Sequence, residues 1–211
     1  VMQDTIETTA RAQLENTVSI IANLVRTSAH VSIRSHLRAI AESNRELVRQ
    51  RFEQFERGEL TEAEAKSAAA RLLLSQTIGE TGYLYALNSE GIVQFHPSDP
   101  LVGRDVSSYE FVQEQMARKE GYIEYQWANP GEETERPKAL YMVYFEPWDW
   151  IISASSYREE FSKLVDVDDF RQSVLSVRLY DTGYPFVLDV EGNLIAHPVR
   201  EGNARDVTDP S

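Results

Sequence analysis

Residues 3 to 56 contain neither proline nor glycine. Apolar side chains recur through them at spacings of three or four: Ile6, Ala10, Leu14, Val18, Ile21, Val25, Ala29, Ile33, Leu37 and Ile40. That period predicts one amphipathic helix. At 1.5 Å per residue it would run roughly 80 Å, longer than one small domain. A helix of that length must pack on more than one module, on a second copy of the chain, or on both. Gly58 breaks it. Thr61 then reads as an N-cap, and Glu64 three residues later completes a capping box for a helix through about Ser75.

From Gly82 the pattern becomes that of strands. Tyr83 to Leu87 and Ile92 to His96 flank Asn88-Ser89-Glu90-Gly91, a short loop with glycine where a hairpin needs positive φ. Tyr122 to Trp127 predicts a third strand, Lys138 to Phe145 a fourth and Trp150 to Tyr157 a fifth. Between the second and third, Tyr109, Val112 and Met116 share one face of a short helix. The strands are apolar or aromatic on both faces, so both sides of the sheet should be covered. The long helix can take one side, and other elements or a ligand must take the second. A charged helix from Arg158 to about Leu175 follows. The expected fold class is α+β.

The chain also repeats itself. The segment starting at Thr81 aligns without a gap to the segment starting at Thr182, with 11 identities in 26 positions. The shared positions include Gly82 with Gly183, Tyr83 with Tyr184, Gly91 with Gly192, and His96-Pro97 with His197-Pro198. This predicts one module and the beginning of another. The expected organisation is a long helix over 1–58, a first module over 59–160, and a linker helix with the start of a truncated second module over 161–211.

Composition narrows the function classes. With 34 acidic against 21 basic residues, the net charge of -13 argues against nucleic acid or an anionic membrane surface as partner. The same acidity also serves simple solubility. Cysteine is absent, which removes disulfides, thiol nucleophiles and cysteine metal sites. No apolar run approaches a membrane span and no signal peptide is present, so the chain reads as soluble or as the soluble piece of a membrane protein. There is no nucleophile elbow, zinc-protease helix, P-loop or dinucleotide fingerprint, and the four histidines lack metal-ligand spacing. Neither an enzyme nor a cofactor is expected.

A few residues carry binding chemistry. Pro97 biases His96 toward extended backbone at a strand end, where its imidazole could donate to a carboxylate or simply shape the turn. Lys138 opens a strand among aromatics, as a cation for an anionic ligand or as a solvated strand-end lysine. Tyr83 and Tyr85 share a strand face, as do Tyr125 and Trp127. Such residues offer an apolar wall, with hydroxyls from the tyrosines, or ordinary core packing.

The order of these features resembles the Cache superfamily, the single-Cache-2 type and its tandem double-Cache relatives. The pattern is Gly82-Tyr83 opening a hairpin, His96-Pro97, Gly103-Arg104-Asp105, Gly121-Tyr122, Trp127 with Asn129-Pro130, Lys138 with Tyr141, Pro147-Trp148 with Trp150, and Tyr157. The chain departs from many relatives at Thr77-Ile78, where they carry Arg-Tyr. The resemblance implies a PAS-like antiparallel sheet beside a long N-terminal helix, in the periplasmic or extracellular part of a bacterial membrane receptor such as a chemoreceptor or sensor kinase. It implies a small carboxylate ligand of the acetate, propionate, pyruvate or lactate class. The expected ligand-binding set is Tyr83, Tyr85, His96, Tyr125, Trp127, Lys138 and Tyr141, with a homodimer through the N-terminal helix. The alternative is a PAS-like structural or protein-interaction module without a small-molecule ligand.

Overall fold

A computed structural model describes residues 2–129, 131–164, 167–177 and 183–206. Pro130, Thr182 and Val207, which entered the sequence patterns, lie outside the described residues. The chain divides into two compact units, Ser32–Ser162 and Val1–Val31 with Lys163–Ser211.

The first element is helix α1 (Met2–Glu56). It ends in a Schellman turn: Gly58 takes φ 72°, its N–H bonds Phe55 O at 2.8 Å, and Glu59 N–H bonds Gln54 O at 2.9 Å. A left-handed residue is needed there, and glycine adopts it without a Cβ clash. Helix α2 (Glu62–Leu74) starts at the expected capping box, with Thr61 and Glu64 each satisfying the other's backbone N–H.

In the larger unit, five strands form one antiparallel sheet: β1 (Tyr83–Leu87), β2 (Val93–Phe95), β3 (Gly121–Trp127), β4 (Arg136–Phe145) and β5 (Trp150–Tyr157), in the order β2-β1-β5-β4-β3. Helix α3 (Glu110–Arg118) joins β2 to β3. Strand alternation sends Leu84, Ala86, Tyr141, Val143, Ile152 and Ala154 to one face, where they pack with Ile33, Leu37 and Ala41 of α1 and Ala65, Ala69 and Leu73 of α2. Tyr85, Leu87, Ile123, Leu140, Met142 and Ile151 go to the other, beneath Val112 of α3. Both faces are covered, as the two-sided apolar strands require. Ile78, at the departure from the family pattern, is buried in the helix-side core.

Gly82 marks the entry to the sheet for a steric reason. A Cβ there would overlap the carbonyl oxygens of Ile78 and Ser155. The close approach lets Ile78 and Gly82 exchange backbone bonds at 3.0 and 2.9 Å just before β1.

The smaller unit holds α4 (Val167–Ser176) and the hairpin of β6 (Val187–Leu188) and β7 (Leu194–Ala196). The single charged helix expected from Arg158 to Leu175 is instead a 3-10 helix, Arg158–Leu164, followed by α4. The early part of the apolar stripe on α1, Leu14, Val18, Ile21 and Val25, faces Tyr184–Leu188 across a groove of about 640 Å³ within this unit.

The repeat is carried into local geometry. Asn88 Oδ1 accepts the N–H groups of Glu90 and Ile92 at 3.1 and 2.8 Å. Asp189 Oδ1 accepts those of Glu191 and Asn193 at 2.9 and 2.8 Å. Gly91 and Gly192 both take positive φ, 81° and 90°. In the first hairpin Tyr83 meets His96 edge-on at 4.9 Å, and in the second Tyr184 meets His197 at 5.2 Å.

Candidate functional site

The sheet face away from α1 carries a cavity of about 60 Å³ between the strands, α3 and the segment leading into it. Odd-numbered positions of β1 and β3 point there, which brings Tyr83, Tyr85, Tyr125 and Trp127 together with His96 from the end of β2. The helix side closes it with Val112 and Phe111, whose ring stacks on Tyr125 at 4.2 Å and 14°. Tyr109 and Phe111 each meet Trp127 at 5.5 Å. The wall is aromatic and the polar groups in it are few, the usual character of a small-molecule site.

Those polar groups are donors. His96 Nδ1 accepts the Ser98 N–H at 2.9 Å, so the proton sits on Nε2. Burial, with the nearby Lys138 charge, pushes the imidazole pKa down to about 4 and keeps the ring neutral at ordinary pH. His197 makes the same kind of bond, with its Nδ1 accepting from Val199 and Arg200 at 3.2 and 3.0 Å. The His-Pro pair thus shapes the turn in both copies and still leaves Nε2–H available. Burial pushes the Tyr85 hydroxyl up to about 12 and holds Tyr83 and Tyr125 well above the ordinary phenol value, so all three stay protonated.

Lys138 is the buried cation. It lies in β4 opposite Tyr125 of β3 and Tyr157 of β5, with no exposed surface. Its Nζ donates to Asn129 Oδ1 at 2.7 Å and rests 4.0 Å from the Tyr83 ring centroid and 5.1 Å from that of Tyr157. Burial drives its pKa down to about 7, against the opposing pull of Glu132 and Glu160. The solvated strand-end lysine is therefore ruled out, because β4 begins at Arg136 and both neighbouring strands cover position 138.

Of the seven residues expected at a site, Tyr83, Tyr85, His96, Tyr125 and Trp127 line the cavity. Lys138 is not in the lining, but its ammonium lies over the ring of Tyr83, which is. Tyr141 does not join them. It packs in the helix-side core, because an offset of three along a strand from Lys138 reverses the face. Two polar residues were missed. Gln115 is fully buried, and its Oε1 accepts from the Tyr85 hydroxyl at 3.2 Å and from Ser153 Oγ at 2.8 Å. Its Nε2 finds no partner in the structure. The available signal was its place three residues after Val112, on the same helix face. Asn129, the partner of Lys138, had a signal only as part of the Asn-Pro pair.

Comparison with known proteins gives a consistent family. A family model described as Cache domain matches residues 2–211. Among solved structures, the chain resembles a periplasmic sensor domain of a chemotaxis protein at 28% identity and TM-score 0.54, covering 60% of this chain and 96% of that one. A Cache chemosensory domain described for its carboxylic acid recognition matches at 20% identity and TM-score 0.54, over 64% of this chain and 97% of that one. A methyl-accepting chemotaxis protein from Vibrio parahaemolyticus RIMD 2210633 matches at 18% and 0.52, over 71% and 99%.

Proposed function

Because the chain belongs to the Cache domain family, its model spanning residues 2–211, we propose that it is the ligand-sensing region of a bacterial membrane receptor, a chemoreceptor or sensor kinase, standing on the periplasmic or extracellular side. On this reading residues 59–160 form the sensing module, the cavity holds a small organic carboxylate, and α1 carries the signal. The second hairpin belongs to a second module. It is a binding protein and not an enzyme.

One observation carries the ligand class. In a chain of net charge -13, the cavity is lined by neutral donors and backed by a fully buried lysine, and no carboxylate lines it among the described residues. A desolvated carboxylate needs charge-assisted donors, and such a wall supplies them. A volume of about 60 Å³ corresponds to roughly four water-sized spaces, which suits a body of two to four carbons. Acetate, propionate, pyruvate and lactate are the class that fits.

The test is a thermal-shift screen with those four acids at pH 6.5. A ligand that binds only the folded state stabilises it by about 2.7 kcal/mol at a hundred times Kd. For a chain of this size that is a rise of about 5–10 °C. No shift with any of the four at millimolar concentration would reject the carboxylate reading and leave the module without a small ligand.

A homodimer through α1 belongs to the same proposal. Leu14, Val18, Ile20 and Val31 are exposed on that helix, at 45%, 64%, 65% and 55%. Leu14 with Val18, and Ile20 with Val31, form two exposed apolar patches on the helix, and such patches favour a partner. Light scattering over a concentration series should show the dimer, and a monomer at every concentration would remove this part.

A further inference from the structure

Lys138 carries a buried charge that a neutral group answers. Its ammonium is paired with the Asn129 carboxamide oxygen at 2.7 Å. The two carboxylates that favour its charged form are engaged with other donors. Glu132 accepts from the Tyr157 hydroxyl, from Arg136 and from the Asn129 N–H. Glu160 accepts the N–H groups of Glu80 and Thr81 and the hydroxyls of Thr81 and Ser156. An amide oxygen compensates a desolvated ammonium less well than an anion does.

Asn129 follows β3 by two residues, in the connection to β4. Its backbone N–H is bonded to the Tyr157 hydroxyl at 2.9 Å and to Glu132 at 3.0 Å, so only its side chain reaches the lysine. The ammonium also lies over the ring of Tyr83, and that ring lines the cavity beside His96. The cation and the cavity thus meet at one side chain, Tyr83.

We propose that the Asn129 carboxamide is an internal stand-in for the ligand carboxylate, and that a ligand binds tightly by displacing it from Lys138. This rests on the carboxylate reading of the cavity. The exchange sets both affinity and selectivity. A carboxylate gains by replacing an amide oxygen on a buried cation, whereas a neutral ligand exchanges one weak partner for another. The contact with Asn129 must be broken each time, so apparent affinity is reduced by the fraction of molecules in which it is closed.

Two substitutions at this position should move affinity in opposite directions. Asn129→Ala removes the competitor, and any acid that binds wild type should bind about tenfold tighter. Asn129→Asp places a permanent carboxylate on Lys138, and the same acid should bind at least about tenfold more weakly. A merely structural role for Asn129 would weaken binding in both. The measurement is calorimetry with acetate, propionate, pyruvate and lactate at pH 6.5, with folding checked by circular dichroism. Asn129→Ser, too short to reach the ammonium, replaces the alanine variant if that one does not fold. Acid binding by wild type with equal or weaker binding by Asn129→Ala overturns it and leaves the carboxylate reading intact. No binding by either protein rejects the carboxylate reading itself, and the inference with it.

Discussion

Replacing Lys138 with methionine is expected to lower carboxylate affinity at least about a hundredfold and, in the same protein, to raise the melting temperature. The two effects have one cause. Lys138 is fully buried, and its pKa is driven from 10.5 to about 7. At about 1.36 kcal/mol per unit, holding this side chain in the fold at neutral pH costs on the order of 4 kcal/mol. Methionine keeps most of the aliphatic volume between Tyr83 and Tyr157 and carries no charge to desolvate. Replacing buried ionic groups by apolar ones of similar volume gains about 1–4 kcal/mol in favourable cases. The orphaned Asn129 carbonyl reduces the gain only partly, since that residue is half-buried and can turn to solvent. Alanine is the poorer substitution, because it would also leave a void among the rings. Thermal melts and calorimetry on the methionine variant check both halves. A variant that is less stable and binds acids normally would place the binding charge elsewhere.

The second large effect is on pH. A ligand carboxylate pairs with the ammonium form, and the unliganded Lys138 loses that form as pH rises through about 7. Affinity should therefore be nearly flat from pH 6 to 7 and fall by about tenfold per unit above it, a loss of about a hundredfold by pH 9. Binding at pH 8 should take up a proton, seen as an enthalpy that varies with the buffer. His96 does not add to this slope, since its pKa of about 4 leaves it neutral throughout the window. The stability of the unliganded protein should move the other way. Lys138 titrates lower in the fold than in the unfolded chain, so between about 7 and 10.5 the unfolded state holds more protons. That term is fully destabilising below pH 7 and is relieved as pH rises toward 10.5. Affinity that stays constant from pH 7 to 9 would mean that Lys138 takes no part.

Much of the architecture could be read from local signals, because those signals coincide with the tertiary contacts. The switch of period at Gly82 marks the first strand, and the close approach of Ile78 and Ser155 explains why glycine stands there. The Thr61 capping box and the Gly58 helix stop appear as read, since each is closed by groups within six residues. The two copies of the repeat form hairpins of matching local geometry, each with a histidine beside a tyrosine. The site was less legible. Tyr141 enters the expected set through the family pattern, and strand parity places it on the face opposite Lys138. Lys138 reads from the sequence as the opening residue of its strand, yet β4 begins two residues earlier at Arg136, and Pro137 lies within it opposite Gln126. Asn129 and Gln115 depend on partners 9 and 30 or more residues away, and no local pattern carries such pairings.

The place where a small acid sits decides between a sensing cavity and a core void. Acetate and propionate labelled with carbon-13 at the methyl group can be titrated into the protein at pH 6.5, and nuclear Overhauser contacts read from that methyl. The predicted result is saturable contact with ring protons of Tyr85, Phe111 and Tyr125, which line the cavity together. Contacts confined to other surfaces, or none at saturating acid, would contradict it.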